Sequence, residues 1–312
     1  MSDSRKDSPV NVVIGAFGQD GVLLCRELEA NGARAVKVAR GDYDLLSPES
    51  VASLFTANER HDVFFLAAHH RSSTQVTTLT PPEDLRLSLA IHVSAPATIL
   101  EVMRQRACGD RFFYASSSRV FGQPGDAPQT EATPRSPTCV YGITKSAGMD
   151  VCAYYRSEHG IFASSGILYN HESSLRPADF VSRRIVLAAV ARYRTRAGRV
   201  RLANPGAEVD WSWAPDIVRA MLSAIRNGEP QDYVMASGKA HSVADFARFA
   251  FDEIGEDWKN CVEACSTPSA SISVPKVGNP AKLIRETGWQ PKLDFEDMVR
   301  LLVREELVRQ QC

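Results

Sequence analysis

Residues 10–21 read VNVVIGAFGQDG. An unbroken apolar run ends in glycines at 15, 18 and 21 and passes at once into GVLLCRELEANG (21–32), which has helical spacing and stops at Gly32. A short strand apolar on both faces, followed directly by a helix, belongs to a parallel sheet covered by helices on both sides. Glycines at that turn permit a tight bend and let backbone N–H groups approach a pyrophosphate at the helix N-terminus. The stretch therefore predicts a dinucleotide site on Gly15, Gly18, Gln19, Asp20 and Gly21, against the alternative of a plain flexible turn.

The same alternation continues. ARAVKVAR (33–40), DVFFLAA (62–68), RFFYASS (111–117) and FASSGIL (162–168) read as strands; 47–57, 82–106 and 141–157 read as helices, the first opened by Ser47 and Pro48. The pattern predicts an α/β fold, a Rossmann-like doubly wound parallel sheet over residues 9–168. Past Leu168 the regularity weakens. One strand at 232–238 and helices at 241–255, 279–289 and 294–307 suggest a smaller α/β substrate-binding cap over 169–312, with the late strand and a helix returning to the core.

Composition excludes several classes. Net charge is −1, which favours neither nucleic acid nor an anionic membrane as partner. No apolar run approaches bilayer length, and the N-terminus, MSDSRKDSPVN, lacks a signal-peptide core, so a cytoplasmic protein is expected. Seven cysteines without a CxxC pair predict free thiols and no metal site.

Two further features carry chemistry. Arg40 closes the second strand, where an acidic residue would accept from a ribose 2′-hydroxyl; an arginine suits a 2′-phosphate. This favours NADP, with NAD possible because Asp42 lies near; a solvated strand-end charge is the competing reading. VYGITK (140–145) sets Tyr141 and Lys145 four apart on one helix face. A phenol with pKa about 10 is a poor base, but neighbouring positive charge favours phenolate. Tyr141 then exchanges a proton with a sugar hydroxyl while hydride moves at carbon.

The glycine pattern, the serine-ended strand ASSSRVFG (115–122) and YxxxK, in that order, resemble the extended short-chain dehydrogenase/reductases. GQDG (18–21), LYNHES (168–173), FVSRRI (180–185), DW (210–211), DYVMASGKAHSV (232–243) and GNPAKLIRETGW (278–289) narrow the likeness to the GDP-mannose 4,6-dehydratases and the GDP-4-keto-6-deoxymannose reductases. The resemblance implies a bound NADP or NAD, a nucleotide-sugar substrate, chemistry at the sugar C4, and a homodimer held by a four-helix bundle that includes the YxxxK helix, here with Ala147, Val151 and Tyr154 on its apolar face. It implies Ser117, Tyr141 and Lys145 as catalytic residues. Asp44 and Leu45 would flank adenine, and Leu66, Ala67 and Ala68 would line the cofactor site. His69, Ser118, Arg119, Asn170, Arg176 and Arg184 would face the substrate; His70, Arg71 and Arg183 are further candidates.

The departures are as informative. Where the dehydratases carry a glutamate that takes the C5 proton and helps expel the C6 hydroxyl, this chain has Arg119, which stays protonated at any working pH. Val209 replaces an arginine before Asp-Trp, and ASISVPKV (270–277) stands where Arg-Pro-x-Glu is usual. The loop after Arg40 is short, as in the reductases, which favours a dimer over a tetramer. The leading expectation is a 4-keto reductase or C4 epimerase. The alternatives are a 4,6-dehydratase whose acid/base has moved to Glu172 or a histidine, and a dinucleotide-binding protein without turnover. For Arg119 itself, a salt bridge at the strand end is weighed against an anionic substrate group.

Overall fold

The computed structural model describes residues 8–69, 79–123, 128–264 and 276–310. His70, Arg71 and most of 270–277 lie outside the described residues.

The first half follows the alternation in the sequence. In order come β1 (Val10–Ile14), α1 (Gln19–Ala30), β2 (Ala35–Val38), α2 (Pro48–Ala52), β3 (His61–Phe65), α3 (Pro81–Leu89), a π-turn at Ala90–Ser94 and α4 (Ala95–Arg106). They continue with β4 (Arg111–Ala115), a 3-10 turn at Ser118–Phe121, α5 (Val140–His159) and β5 (Phe162–Leu168). The second half holds β6 (Asn170–Glu172), α6 (Val181–Thr195), β7 (Val200–Leu202), β8 (Glu208–Trp213), α7 (Ala214–Arg226), β9 (Asp232–Met235), β10 (Ala240–Ser242), α8 (Val243–Asp252), a 3-10 turn at Trp258–Asn260, β11 (Val262–Ala264), α9 (Ala281–Thr287) and α10 (Phe295–Arg309).

Six parallel strands form the main sheet in the order β2-β1-β3-β4-β5-β9. The order reverses direction at β1, the point at which an open α/β sheet leaves a crevice beyond its strand ends. One face is covered by α2, α4 and α5 through Val51, Ile99, Leu100, Met103, Met149 and Cys152. The other is covered by α1, α7 and α9 through Leu24, Leu28, Ile217, Met221, Ile225 and Leu283. α7 was not expected. It follows β8 without a loop, with Pro215 in its first turn and its apolar residues at i, i+1, i+4, i+5 and i+8 from Ile217.

Strands are shorter than the apolar runs suggested. β1 ends at Ile14 because Gly15 takes φ +90°, and β2 ends at Val38, two residues before Arg40. The serines after Ala115 lie beyond β4 rather than in it. The expectation about membrane-length runs also needs correction. Residues 81–106 form one continuous helical stretch of 26 residues, within which an 18-residue window has mean hydropathy 1.3, enough by length and composition to cross a membrane. Its second half instead buries Ile99, Leu100, Val102 and Met103 against the sheet.

The third core joins α6, α8, α10, β7 and β8 around Trp211, Phe246 and Phe295, whose rings lie 5.3–5.9 Å apart. The DW motif is structural here. Asp210, 1% exposed, accepts hydrogen bonds from the Ser237 amide and hydroxyl and from the Gly238 and Gly278 amides at 2.6–3.1 Å. It thus ties β8 to the chain leaving β9 and to the segment before α9. Five described cysteines are free, in line with expectation.

Candidate active site

A cleft of about 610 Å³ opens beyond the carboxyl ends of β1, β4 and β5. It gathers Gly15, Gly18, Gln19, Asp20, Gly21, Leu66, Ala68, Ser117, Ser118, Arg119, Tyr141, Lys145, Asn170, Arg176 and Arg184, all anticipated from sequence. A larger cleft of about 990 Å³ lies at the opposite ends of the strands, around Asn11, Arg34, Asp62 and Arg111, and shares no residue with this chemistry. The smaller cleft holds the convergent groups, so it is the candidate site.

Its floor is the glycine turn. Gly15 packs on the Leu66–Ala67 peptide, and a Cβ on Gly21 would stand 2.2 Å from the Gly15 carbonyl oxygen. No other residue permits α1 to start so close to β1. The N-cap of α1 is Gly18, with no side chain capping the first-turn amides. Those amides remain for an anion, and the residues fit a dinucleotide pyrophosphate.

Two sequence motifs interlock here. The Gln19 amide donates to the His171 carbonyl (3.1 Å) and to Asp20 (3.2 Å), and Ser173 Oγ donates to Gln19 Oε1 (2.9 Å). His171 Nε2 lies 3.0 Å from Asp20 Oδ1. Burial disfavours the Asp20 charge, but the His171 cation and its hydrogen bond outweigh it and hold Asp20 down at about 2. Burial likewise opposes the His171 cation, and Asp20 more than compensates, raising its pKa above the ordinary 6.5. His171 was not singled out from sequence; its only signal was a place in NHES.

This pair makes stability pH-dependent with a defined sign. A histidine whose folded pKa is raised stabilises fully below its unfolded value of 6.5, and the contribution fades as pH rises through the higher folded value. Asp20 stays ionised throughout that window. Urea unfolding of wild type and His171→Gln should therefore differ by about 2 kcal/mol at pH 6, with the gap narrowing toward pH 9. A gap that widens with pH would show that the imidazole is not charged in the fold.

The reacting groups come from β4 and α5. Ser117 caps the turn after β4, its Oγ accepting from the Arg119 amide at 3.3 Å. Gly142 lets the first turn of α5 sit against that turn: a Cβ there would be 2.6 Å from the Arg119 carbonyl oxygen. Tyr141 is thereby set beside the serines, backed by the His92 ring at 5.4 Å. Lys145, 1% exposed, donates to the Ala115 carbonyl at 2.7 Å, with Nζ 5.8 Å from the Tyr141 ring centre. Burial pushes its ammonium down to about 7. Burial and the Asp20 charge raise the Tyr141 phenol above its ordinary value, while Arg176 and Arg119 oppose that rise. Tyr141 is therefore a phenol at neutral pH, ready to donate.

Other anticipated residues sit elsewhere. Arg40, Asp44, Leu45 and Ala67 do not line this cleft. His69 turns away from it, its Nε2 2.8 Å from Asp84 on α3. Arg183 is buried and bonded to Glu306 at 2.6 Å, tying α6 to α10 rather than meeting phosphate. Glu172 is 2% exposed, accepts from Ser182 Oγ at 2.7 Å and pairs with Arg176 at 3.3 Å, so it is not placed to supply a missing acid/base. Arg119 has no carboxylate partner among the described residues, contrary to the expected strand-end salt bridge.

Such a parallel sheet, with a glycine turn, a serine-ended strand and a Tyr-Lys pair in one cleft, defines an NAD(P)-dependent enzyme of the short-chain dehydrogenase/reductase class. A family model described as GDP-mannose 4,6 dehydratase matches residues 41–302, and the chain belongs to that family. It is similar to "GDP-mannose 4,6 dehydratase 2" of Caenorhabditis elegans, 30% identical over 300 residues, covering 89% of this chain and 75% of that protein. Among solved structures it is similar in fold to RMD from Pseudomonas aeruginosa complexed with NADPH (TM-score 0.81, 21% identity, 97% and 98% of the two chains). It is also similar to UDP-glucose 4-epimerase from Thermus thermophilus complexed with NAD (TM-score 0.76, 20% identity, 97% and 99%).

Proposed function

We propose that this chain is an NADP-dependent oxidoreductase acting at C4 of a nucleotide sugar, as a 4-keto reductase or C4 epimerase, and not a 4,6-dehydratase. The observation that carries the reading is the content of the cleft: Ser117, Tyr141 and Lys145 are together, and the position two beyond Ser117 holds a guanidinium. The only carboxylates among the described lining residues are Asp20, tied to His171, and Asp179, in the segment leading into α6. Elimination of water needs a carbon-bound proton taken by a base, and among the described residues no further carboxylate lines the cleft with Tyr141.

The hydride chemistry needs less. Bound NADP supplies a hydride acceptor and, when reduced, a hydride donor. Ser117 Oγ holds the C4 oxygen, and Tyr141 delivers a proton to that oxygen as hydride reaches C4, or takes it back in the reverse direction. Arg176 and Arg119 are the positive charges that favour the phenolate of Tyr141, and Lys145 stands behind its ring with Nζ 5.8 Å from the ring centre. Arg40 supports NADP over NAD: it is exposed just past β2, while one oxygen of the Asp42 carboxylate accepts from the Ala39 amide at 2.7 Å. Asn170, Arg176 and Arg184 are proposed to meet the nucleotide sugar, with 169–312 as its cap and 9–168 as the dinucleotide unit.

The proposal extends to a cytoplasmic homodimer. Leu85, Leu87 and Leu89 on α3 and Ile143 and Tyr154 on α5 are large apolar side chains left exposed, as an unburied helix face would be.

The test is a label experiment. Nucleotide sugars carrying deuterium at C4 are incubated with the protein and NADP, and the dinucleotide is examined by mass spectrometry. Deuterium should appear in NADPH. Transfer from another ring position, with C4 silent, would refute the site of reaction.

A further inference from the structure

The charge around Arg119 is unbalanced. Arg119 lines the cleft with Ser117, Ser118 and Tyr141, and its side chain is exposed with no hydrogen-bond or ion-pair partner among the described residues. A second cation stands close. Lys276 pairs by its backbone with Val209 of β8, and its neighbour Val277 accepts from the Gln129 amide at 2.7 Å. The segment begun at Gln129 reaches the Arg119 turn where the Ser136 amide meets the Val120 carbonyl at 3.0 Å. Lys276 likewise has no carboxylate partner among the described residues. Burial and the Arg119 charge together hold its ammonium below the usual lysine value. Two cations close enough for one to lower the other's pKa attract an anion between them.

The anion's source follows from position. The dinucleotide pyrophosphate belongs at the amides of α1. Arg176 and Arg184 line the cap side of the cleft and are the residues proposed above to meet the nucleotide sugar. Arg119 is two residues from Ser117 and its charge is felt by Tyr141, so it stands at the reacting end of the sugar, across the ring from the anomeric diphosphate. Resting on the C4 oxidoreductase reading above, we propose that Arg119, assisted by Lys276, binds a carboxylate carried on the sugar ring, so that the substrate is a nucleotide-linked uronic acid. A planar guanidinium matches a carboxylate in two parallel hydrogen bonds, which a sugar hydroxymethyl group cannot reciprocate.

The test uses pairs of probes that differ only in a carboxylate or hydroxymethyl group at C6: UDP-glucuronate with UDP-glucose, and GDP-mannuronate with GDP-mannose. Binding to the NADP-loaded protein and C4 hydride exchange are measured for wild type, Arg119→Met, Arg119→Lys and Lys276→Met, with NADPH binding as the folding control. The wild type should prefer the acid of a pair. Arg119→Met should lose about 10- to 100-fold on the acid alone, Lys276→Met less, and Arg119→Lys should recover part. Equal losses on acid and neutral sugar would place the diphosphate at these cations and overturn the proposal. So would a wild-type preference for the neutral sugars. If NADPH binds but no nucleotide sugar of either kind binds or exchanges hydride, the underlying C4 reading fails, and this inference with it.

Discussion

Replacing Tyr141 by Phe should lower C4 hydride exchange by about 10²–10⁴-fold while leaving NADP affinity near its wild-type value. In the proposed reaction the phenol oxygen passes a proton at the C4 oxygen that Ser117 would hold. Phenylalanine keeps the ring and its packing against His92 at 5.4 Å, so the fold and cofactor turn should persist. The protonation state sets the direction as well. With Tyr141 held as a phenol by burial and by Asp20, neutral pH favours proton donation, hence reduction of a 4-keto sugar, and the oxidative direction should accelerate as pH rises. NADPH fluorescence followed in both directions between pH 6 and 9 checks this. A variant that keeps more than a tenth of the wild-type rate would remove Tyr141 from the proton path.

Local pattern carried the sheet and the glycine turn because both depend on near neighbours. An apolar run ending at Gly15, a Tyr-Lys pair four apart and a serine at a strand end can each be read without the rest of the chain. The pairing of Asp20 with His171, or of Arg183 with Glu306, cannot, since those residues are brought together only by the folded sheet and cap. Charge assignments suffered most for this reason. His69, expected at the substrate, is bonded to Asp84; Glu172, considered as a substitute acid/base, is enclosed by Ser182 and Arg176; Arg119, expected in a salt bridge, has none among the described residues. The missed α7 is a different failure. Its apolar spacing is clear, but it starts directly after the last residue of a strand, with no loop to separate the two patterns. The strand at Asp232–Met235 was anticipated, and it joins the main sheet beside β5 although more than sixty residues separate them.

The relatives' name raises the sharpest alternative, and Arg119 is the residue on which the proposed reading turns. A guanidinium is a cation without a lone pair to offer and can neither take a carbon-bound proton nor return one to a leaving hydroxyl. Positioned general acid–base groups contribute about 10²–10⁴-fold, so elimination should be slow here even with hydride transfer intact. Arg119→Glu puts a carboxylate two residues beyond Ser117, beside Tyr141, without touching the glycine turn or Lys145. The variant should gain dehydration that the wild type lacks, provided GDP-mannose enters the cleft. The most direct measurement is the mass spectrum of the nucleotide sugar after incubating GDP-mannose, NADP and either protein. The account predicts no loss of water with the wild type and a 4-keto product one water lighter with Arg119→Glu; efficient dehydration by the wild type would contradict it.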